Sequence, residues 1–203
     1  MPTIYYIRHG QTDWNATGRF QGTQDIPLND KGRMQAAASG VRLGQLLAEE
    51  GRDPGSLAYV ASPLGRARVT MELLRGELGL PPHDYAVDER IREITYGAWE
   101  GFTLAQMEKS DPQIYAARHA DRWNTAPLDG ESYAQRLPFV TDWVNSLTAD
   151  TVAVGHVGTC RTLFVALGLK TPAEAIEDPI LQGAVYEFKD GGLTVFRGDE
   201  IGR

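Results

Sequence analysis

Residues 3–10 contain a short β-rich run that ends on two basic residues and a glycine, Thr3-Ile4-Tyr5-Tyr6-Ile7-Arg8-His9-Gly10. Two further runs have the same form: residues 57–61 end at Ser62-Pro63, and residues 151–154 end at Gly155-His156. None of the three alternates apolar with polar residues, which is typical of strands buried on both faces of a largely parallel sheet. The sequence therefore predicts a sheet that is covered on both sides.

Helical signals follow each of these runs along the chain. Asn29 is predicted to cap a helix that runs to about Glu50, with Met34 and Val41 among the apolar residues at helical spacing. Ser62 is predicted to cap the next helix, with Pro63 at its first position and its end at Gly76. Further helices are predicted over residues 131–147 and 159–167, and a hairpin over residues 184–197.

This order of elements predicts an α/β fold, specifically a three-layer α/β/α sandwich with a mixed, mostly parallel sheet. The helical periodicity becomes irregular between about residues 93 and 128, where aromatic residues lie among charges. We interpret that segment as a helical lid insertion within a single domain of residues 1–203.

Composition restricts the classes of function. The chain has 203 residues, with 20 Lys and Arg against 27 Asp and Glu and a formal net charge of -7, which argues against a general nucleic-acid or membrane-surface binder. Uncharged stretches such as residues 151–160 fall well short of the ~18 residues that span a bilayer. The start of the chain shows no signal-peptide pattern and Cys160 is the single cysteine, so a cytoplasmic location is predicted.

Basic and imidazole side chains follow all three predicted strands. Arg8 and His9 end the first, Arg66 follows the second, and His156 follows the third. Ligands of α/β sheets bind beyond the carboxyl ends of the strands. A lone histidine there is usually a hydrogen-bonded structural residue and a lone arginine a surface cation, so it is the coincidence of the four that indicates an anion site.

The chain resembles the histidine phosphatase superfamily, also called phosphoglycerate mutase-like. The similarity covers about residues 3–170 and rests on six blocks in the family's order, at residues 6–22, 27–36, 62–67, 93–101, 129–132 and 154–156.

The resemblance implies a set of roles around a phosphoryl group. His9 would be the nucleophile that forms a phosphohistidine, and Arg8, Arg66 and His156 would surround the phosphoryl oxygens, with Asn15 as a further phosphate contact. Which nitrogen of His9 attacks is open at this point. The partner implied is a small phosphorylated metabolite, with no nucleic acid and no membrane.

Glu93 matches the family's general acid, which protonates the leaving alkoxide and then helps to activate water. That role needs a raised carboxyl pKa, for which an apolar lid residue such as Trp99 could supply the desolvation. The alternative is a structural salt bridge to Arg90 or Arg92.

Three further residues, Thr12, Gln21 and Gly22, are weaker candidates for phosphate contacts. One departure from the family pattern is Val157, where the family usually has glycine directly after the second histidine; here Gly158 comes one residue later.

The resemblance leaves the reaction open between phosphatase and mutase. Cofactor-dependent mutases carry a lysine where this chain has Leu104, which favours a phosphatase, whereas Tyr96 matches a mutase position. A third possibility is a binding module for phosphorylated ligands, although retention of His9 and Glu93 counts against it. Candidate contacts for a second anionic group or a ring are Arg118, Arg122 and Trp123.

No cofactor is predicted. The histidines at positions 9, 83, 119 and 156 do not form a metal-binding pair at a recognised spacing, and no glycine-rich nucleotide-binding loop is present in the sequence. The substrate and the oligomeric state are left open.

Overall fold

A computed structural model describes residues 1–197 and contains one six-stranded sheet with the order β3-β2-β4-β1-β5-β6. The strands are β1 (Ile4–Arg8), β2 (Ala58–Ala61), β3 (Ala86–Val87), β4 (Thr151–Gly155), β5 (Ala184–Lys189) and β6 (Gly192–Arg197). Strands β1 to β4 pair in parallel, β5 pairs antiparallel with β1, and β6 pairs antiparallel with β5 to form the predicted hairpin. The sheet is therefore mixed and mostly parallel, as predicted.

Eight α-helices are present in residues 1–197. They are α1 (Asp13–Ala16), α2 (Asp30–Glu49), α3 (Gly65–Glu77), α4 (Leu104–Ser110), α5 (Pro112–Ala120), α6 (Tyr133–Asn145), α7 (Val157–Ala166) and α8 (Pro172–Glu177). Short 3-10 turns lie at Pro54–Ser56, Glu89–Ile91 and Gly97–Trp99. Within residues 1–197, no helix combines the length and the apolar character that crossing a membrane requires.

Alternate side chains of the central strand β1 enter two different cores. Tyr5 and Ile7 pack with Leu43 and Leu74 of α2 and α3 on one face. Ile4 and Tyr6 belong to the other core, to which α6, α7 and α8 contribute. A strand buried on both faces needs no polar alternation, which explains the apolar pattern of β1 and confirms the α/β sandwich.

Strand register brings the predicted site residues to one edge of the sheet. Arg8 at the end of β1 pairs with Gly155 at the end of β4, and Ala61 at the end of β2 pairs with Val154. The residues that follow these ends are His9, His156 and Ser62, and they converge because the three strands are parallel.

The start of α3 corrects one prediction. Ser62 does not cap this helix, which begins at Gly65 after Leu64. The cap comes from a separate loop, since the Asp25 carboxylate accepts hydrogen bonds from the backbone N–H groups of Gly65 (3.0 Å) and Arg66 (3.4 Å). The Ser62 hydroxyl instead contacts His156, so a tertiary contact has replaced the local one.

The apolar face predicted for α2 was also wrong. The Asn29 cap is confirmed, since Asn29 Oδ1 accepts from the Gly32 N–H at 2.9 Å. Met34 and Val41, however, are 66% and 37% exposed, and the buried face is formed by small residues and leucines, namely Gly32, Ala36, Ser39, Gly40, Leu43, Leu46 and Leu47. Gly40 lies against the backbone of Leu74, so close packing on α3 selects the small face.

The observed ends of α6 and α7 lie within two residues of the predicted ends. Helix α7 begins at Val157, directly after His156, instead of at residue 159, and α6 spans Tyr133–Asn145 within the predicted 131–147. Pro138 lies inside α6, and Ser132 caps that helix.

Candidate functional site

A cavity of about 440 Å³ lies at the carboxyl ends of the parallel strands. Its lining includes seven of the nine predicted site residues: Arg8, His9, Asn15, Gln21, Gly22, Arg66 and Glu93. The two others, Thr12 and His156, are fully buried and do not line its surface.

The hydrogen bonding of His9 identifies its free nitrogen. Nδ1 lies 2.7 Å from the carbonyl oxygen of Gly10, which can only accept, so Nδ1 carries the proton and donates. Nε2 therefore keeps its lone pair. Burial, followed by the charges of Arg66 and Arg8, lowers the pKa of His9 well below its ordinary value, so the ring is neutral near pH 7.

Backbone carbonyl groups hold the two predicted phosphate-binding arginines. Arg8 Nη1 donates to the carbonyl oxygen of Ile180 at 2.7 Å. Arg66 donates from Nη1 to Gln24 (2.6 Å) and from Nη2 to Gly22 (2.7 Å). The Nε atom of each is buried and has no partner among the described residues. Each guanidinium is thus oriented by neutral acceptors, which leaves its charge available to an anion.

His156 lies beside His9, with ring centroids 5.1 Å apart. Its Nε2 is 2.6 Å from Ser62 Oγ, which also accepts a hydrogen bond from the Leu64 N–H at 3.4 Å. This arrangement directs the Ser62 hydroxyl hydrogen towards Nε2 and favours a proton on Nδ1, which is buried with no partner among the described residues. Burial, with the charge of Arg66, lowers the pKa of His156 well below its ordinary value.

The backbone of His156 is fixed by β1. The Tyr6 hydroxyl accepts from the His156 N–H at 2.6 Å and donates to the His156 carbonyl oxygen at 2.8 Å. A central-strand side chain therefore sets the position of the second histidine.

Glu93 is buried at the cavity and is not part of a salt bridge to its neighbouring arginines. Arg90 pairs with Asp88 at 2.6 Å and Arg92 with Glu131 at 2.8 Å, so the structural alternative for Glu93 does not apply. Burial raises the pKa of the Glu93 carboxyl above its ordinary value, against the lowering effect of the hydrogen bond from the Gly158 N–H.

The glycine that follows Val157 contacts the Glu93 carboxylate. The Gly158 N–H donates to Glu93 Oε1 at 3.0 Å, and a Cβ atom at Gly158 would lie 2.2 Å from that oxygen. A side chain at position 158 would displace the Glu93 carboxylate, so Gly158 leaves room for that carboxylate to accept the backbone hydrogen bond. Val157 itself lines the cavity.

The weaker candidates contribute in different ways. Asn15 Oδ1 accepts from the Thr12 backbone, the Thr12 hydroxyl and Gln182, which leaves the Asn15 Nδ2 amide as the donor available to a ligand. Thr12 caps α1 and orients Asn15. Gln21 Oε1 is buried without a partner among the described residues, and Gly22, at φ 53°, supplies the carbonyl that holds Arg66.

A second cavity of about 400 Å³ adjoins the first and shares Phe20, Tyr96 and Arg122 with it. Its other walls are mostly from residues 93–128 and include Trp99, Leu104, Met107, Tyr115 and His119. Of the residues predicted for a second anion or a ring, Arg122 lines both cavities. Arg118 lines the second one but lies over the rings of Tyr96 and Tyr133, and Trp123 is stacked on Tyr133 in the core.

The sequence analysis did not predict three residues that line the first cavity, Arg19, Arg161 and Gln182. It also did not predict the contact of the Ser62 hydroxyl with His156. Arg161 carried a usable signal: it stands four residues after Val157 on α7, and residues at that spacing share one helix face. Gln182 had no such signal, since an isolated bridge to Arg8 places it there.

Within residues 1–197, no group of three or more His, Cys, Asp or Glu side chains is arranged to hold a metal ion. The cavity thus combines a neutral imidazole, two guanidinium groups with unpartnered Nε atoms and one carboxyl group of raised pKa.

The sequence pattern of the histidine phosphatase superfamily (branch 1) matches residues 4–194. The chain belongs to this superfamily. Its histidine phosphatase relatives include the glucosyl-3-phosphoglycerate phosphatase of Mycobacterium tuberculosis, which is 38% identical over 183 residues, or 83% of this chain and 76% of the relative. The 2,3-bisphosphoglycerate-dependent phosphoglycerate mutase of Brucella ovis is 30% identical over 208 residues, which cover 98% and 97% of the two chains.

Solved structures of similar proteins agree with the fold. The mycobacterial glucosyl-3-phosphoglycerate phosphatase in complex with VO3 superposes with a TM-score of 0.79 at 28% identity, over 97% of this chain and 99% of the other. An α-ribazole-5′-phosphate phosphatase from Escherichia coli superposes with a TM-score of 0.81 at 22% identity, over 100% and 98%, and supports the fold alone. The predicted superfamily and α/β fold are confirmed.

Proposed function

We propose that this protein is a metal-independent phosphatase that hydrolyses a small phosphorylated metabolite through a phosphohistidine on His9. One observation carries the proposal: a neutral histidine with a free Nε2 lies in one cavity with Arg8, Arg66 and a carboxyl group of raised pKa. Phosphatases among the relatives support this reaction type.

In the first step, the lone pair of His9 Nε2 forms a bond to phosphorus as the bond to the ester oxygen breaks. The Nδ1–H bond to the Gly10 carbonyl keeps Nε2 unprotonated and stabilises the positive charge that develops on the ring. Arg8 and Arg66 donate to the phosphoryl oxygens, where charge accumulates in the transition state. Glu93, whose pKa is raised by burial, gives its proton to the leaving alkoxide.

In the second step, water attacks the phosphorus of the phosphohistidine. The Glu93 carboxylate accepts a proton from this water as the new phosphorus–oxygen bond forms and the bond to Nε2 breaks. The products are inorganic phosphate and a neutral His9, with Glu93 protonated again. His156 Nδ1 would supply a further hydrogen-bond donor to the phosphoryl group.

The alcohol half of the substrate would enter the second cavity, the aromatic cavity, which adjoins the cavity that Glu93 lines. Phe20 and Tyr96 line both cavities, with their rings in edge-to-face contact at 4.8 Å. Helices α4 and α5 supply much of the outer wall, so we propose that residues 93–128 act as the lid. That residues 1–203 form one domain, and that the protein is cytoplasmic, stay predictions.

The decisive experiment measures phosphate release in a metal chelator from a panel that includes glucosyl-3-phosphoglycerate, α-ribazole 5′-phosphate and simple sugar phosphates. We expect His9→Ala to lose activity by about a thousandfold or more, because no other group supplies the nucleophile. His83→Ala removes an exposed histidine and is the matched control. A phosphohistidine trapped after acid-free quenching of the wild type, and missing in His9→Ala, is the second expected result.

A phosphoglycerate mutase is the second candidate, favoured by the match to the Brucella mutase over nearly the full length of both chains. The absence of a lysine at position 104, where Leu104 lies on the wall of the aromatic cavity, argues against it. Phosphoglycerate isomerisation that depends on a bisphosphoglycerate primer would favour the mutase. Tight binding of phosphorylated ligands without release or transfer would leave a binding module instead.

A further inference from the structure

A third cavity, of about 700 Å³, lies between the start of α2, the segment that leads into β5 and the end of β6. The polar side chains that line it are Arg8, Gln11, Lys31, Gln35, Gln182 and Arg197. Arg8, Gln11 and Gln182 form a wall shared with the cavity in front of His9, whereas the other three do not line that cavity. The third cavity is therefore a separate space that the proposed reaction does not use.

The charges around the third cavity are all positive. Arg8, Lys31 and Arg197 contribute three cations, and within residues 1–197 no aspartate or glutamate belongs to the lining. Lys31 and Arg197 form no ion pair with the described residues. The partner of Arg8 is the neutral carbonyl oxygen of Ile180, at 2.7 Å. This concentration of positive charge stands out in a chain whose net charge is -7.

The amide group of Gln11 is oriented as a hydrogen-bond donor. Asn29 Oδ1 accepts from the Gly32 N–H at 2.9 Å, so the other atom of that amide, Nδ2, is the donor. Asn29 Nδ2 donates to Gln11 Oε1 at 3.2 Å. The carbonyl oxygen of Gln11 is thus engaged, and its Nε2 group is left to donate to a ligand.

The amide group of Gln35 is oriented in the same way. Its Oε1 accepts from the backbone N–H of Gln11 at 2.9 Å, which fixes Nε2 as the free donor. Gln182 has the opposite orientation, because its Nε2 donates to Asn15 at 3.1 Å and its oxygen remains. Two amide donors and three cations therefore face one amide acceptor, a set of groups that favours an anion.

The third cavity also has an apolar wall. Met34 is 66% exposed and lines the cavity with Ala38, four residues later on the same face of α2, and with Leu181. Met34 contributes nothing to the buried face of α2. A flexible thioether side chain at this position offers packing surface to the carbon frame of a ligand.

We propose that the third cavity binds a small organic anion that carries two or more carboxylate or phosphoryl groups on an aliphatic frame. Oxygens of both kinds accept hydrogen bonds from guanidinium, ammonium and amide N–H groups. More than one negative charge is needed to match the three cations, and the volume is that of a small-molecule site. The proposal does not depend on the phosphatase reaction.

The test uses the methionine methyl groups as reporters of position. The chain has four methionines: Met34 lies in the third cavity, Met107 in the aromatic cavity and Met71 in the core, and the fourth is Met1. Protein labelled with carbon-13 at these methyl groups is titrated with citrate and, separately, with methylenediphosphonate, and Met34→Leu assigns the reporting signal. We expect a saturable shift of the Met34 signal and none of the Met71 signal. Glycerol, which is neutral, should shift neither, and the tighter of the two anions identifies the group that is bound.

Variants of residues outside the catalytic cavity test the site itself. Lys31→Gln should raise the Kd of the tighter anion by about three- to tenfold. Gln35→Glu keeps an oxygen for the Gln11 N–H but replaces the amide donor with a negative charge, so it should raise the Kd by about tenfold or more. Arg33→Gln removes an exposed cation from the same turn of α2, outside the cavity, and is the matched control.

Three results would overturn the proposal. The first is a Met34 signal that neither anion shifts at millimolar concentrations. The second is a Kd that is the same in the wild type, Lys31→Gln and Gln35→Glu. The third is an equal rise in Kd in Arg33→Gln and Lys31→Gln, because it would show general attraction to a charged surface in place of a site.

Discussion

Glu93 shows how a buried carboxyl group can be suited to proton donation. Burial raises its pKa, while the N–H groups of Gly158 and Ile94, each 3.0 Å from Oε1, stabilise the charged form. Glu93 is therefore suited both to donate and to accept a proton, which the proposed two-step reaction requires. His9 has the opposite shift, because burial lowers its pKa.

These shifts predict the pH dependence of kcat/KM. Activity requires neutral His9 and protonated Glu93, so it should rise as pH increases through the lowered His9 pKa and fall as pH increases through the raised Glu93 pKa. Glu93→Gln should lose the alkaline limb and reduce kcat/KM by about 10²- to 10⁴-fold for alkyl phosphates. The loss should be smaller with p-nitrophenyl phosphate, whose leaving group needs no proton.

The matched control is Glu108→Gln, an exposed glutamate of α4 outside both cavities. An unchanged alkaline limb in Glu93→Gln, or an equal loss for alkyl and aryl phosphates, would remove Glu93 from the role of general acid.

The hydrogen bond between Ser62 and His156 leads to a second prediction. Its hydroxyl holds His156 Nε2 as an acceptor, so Ser62→Ala should shift the ring towards the other tautomer and lower kcat by about tenfold, the value of one hydrogen bond. Nitrogen-15 NMR of His156 measures the tautomer directly. Ser39→Ala, a fully buried serine of α2 whose hydroxyl donates to Gln35, is the control for stability loss alone. Unchanged His156 chemical shifts would contradict the prediction.

At the scale of elements, the N-terminus of α3 depends on a loop that is distant in sequence. Asp25 accepts from the backbone N–H groups of Gly65 and Arg66, and the same loop supplies the Gln24 and Gly22 carbonyls that hold the Arg66 guanidinium. One loop thus positions both the start of α3 and the guanidinium group of Arg66, the proposed phosphate contact.

Asp25→Ala should therefore affect both stability and the site. Loss of the cap should reduce the free energy of unfolding by about 1 kcal/mol, measured by urea denaturation. The same variant should weaken inhibition by inorganic phosphate because Arg66 loses its support. Asp53→Ala removes a cap of the same type at the Pro54–Ser56 turn, outside the cavity, and should cost stability only. Equal phosphate inhibition in both variants would show that Asp25 acts only as a cap.

At the scale of the whole molecule, the buried histidines link the site to the stability of the fold. Burial lowers the pKa values of both His9 and His156, so both are neutral in the folded state near pH 7. Below about pH 6.5 the unfolded chain protonates them while the folded protein does not. Because the unfolded state then binds more protons, the free energy of unfolding falls as the pH is lowered.

His9→Gln should weaken that pH dependence. Each histidine contributes up to about 1.4 kcal/mol per pH unit between about pH 6.5 and its folded pKa, and the variant lacks one contribution. Urea denaturation at a series of pH values from 7.5 downwards measures the slope. His83→Gln, at an exposed position, should keep the wild-type slope. Identical slopes in the wild type and His9→Gln would show that His9 is protonated in the folded state as well.

The class of fold and the convergence of Arg8, His9 and His156 could be predicted from the sequence alone. Uninterrupted apolar runs at β1, β2 and β4 required burial on both faces, and the basic residues at their ends had to converge because parallel strands end at one edge. Local signals were also sufficient for the Asn29 cap and for the hairpin at residues 184–197.

The partners of several polar groups could not be predicted from the sequence, because they depend on tertiary contacts. Ser62 had the features of a helix cap, but its hydroxyl is engaged by His156, and Asp25 from another loop caps α3 instead. The free nitrogen of His9, the glycine at position 158 and the pocket position of Arg161 likewise depend on contacts between distant segments. Periodicity records which residues are apolar along one element, whereas the partner of each polar group is set by what packs against it in three dimensions.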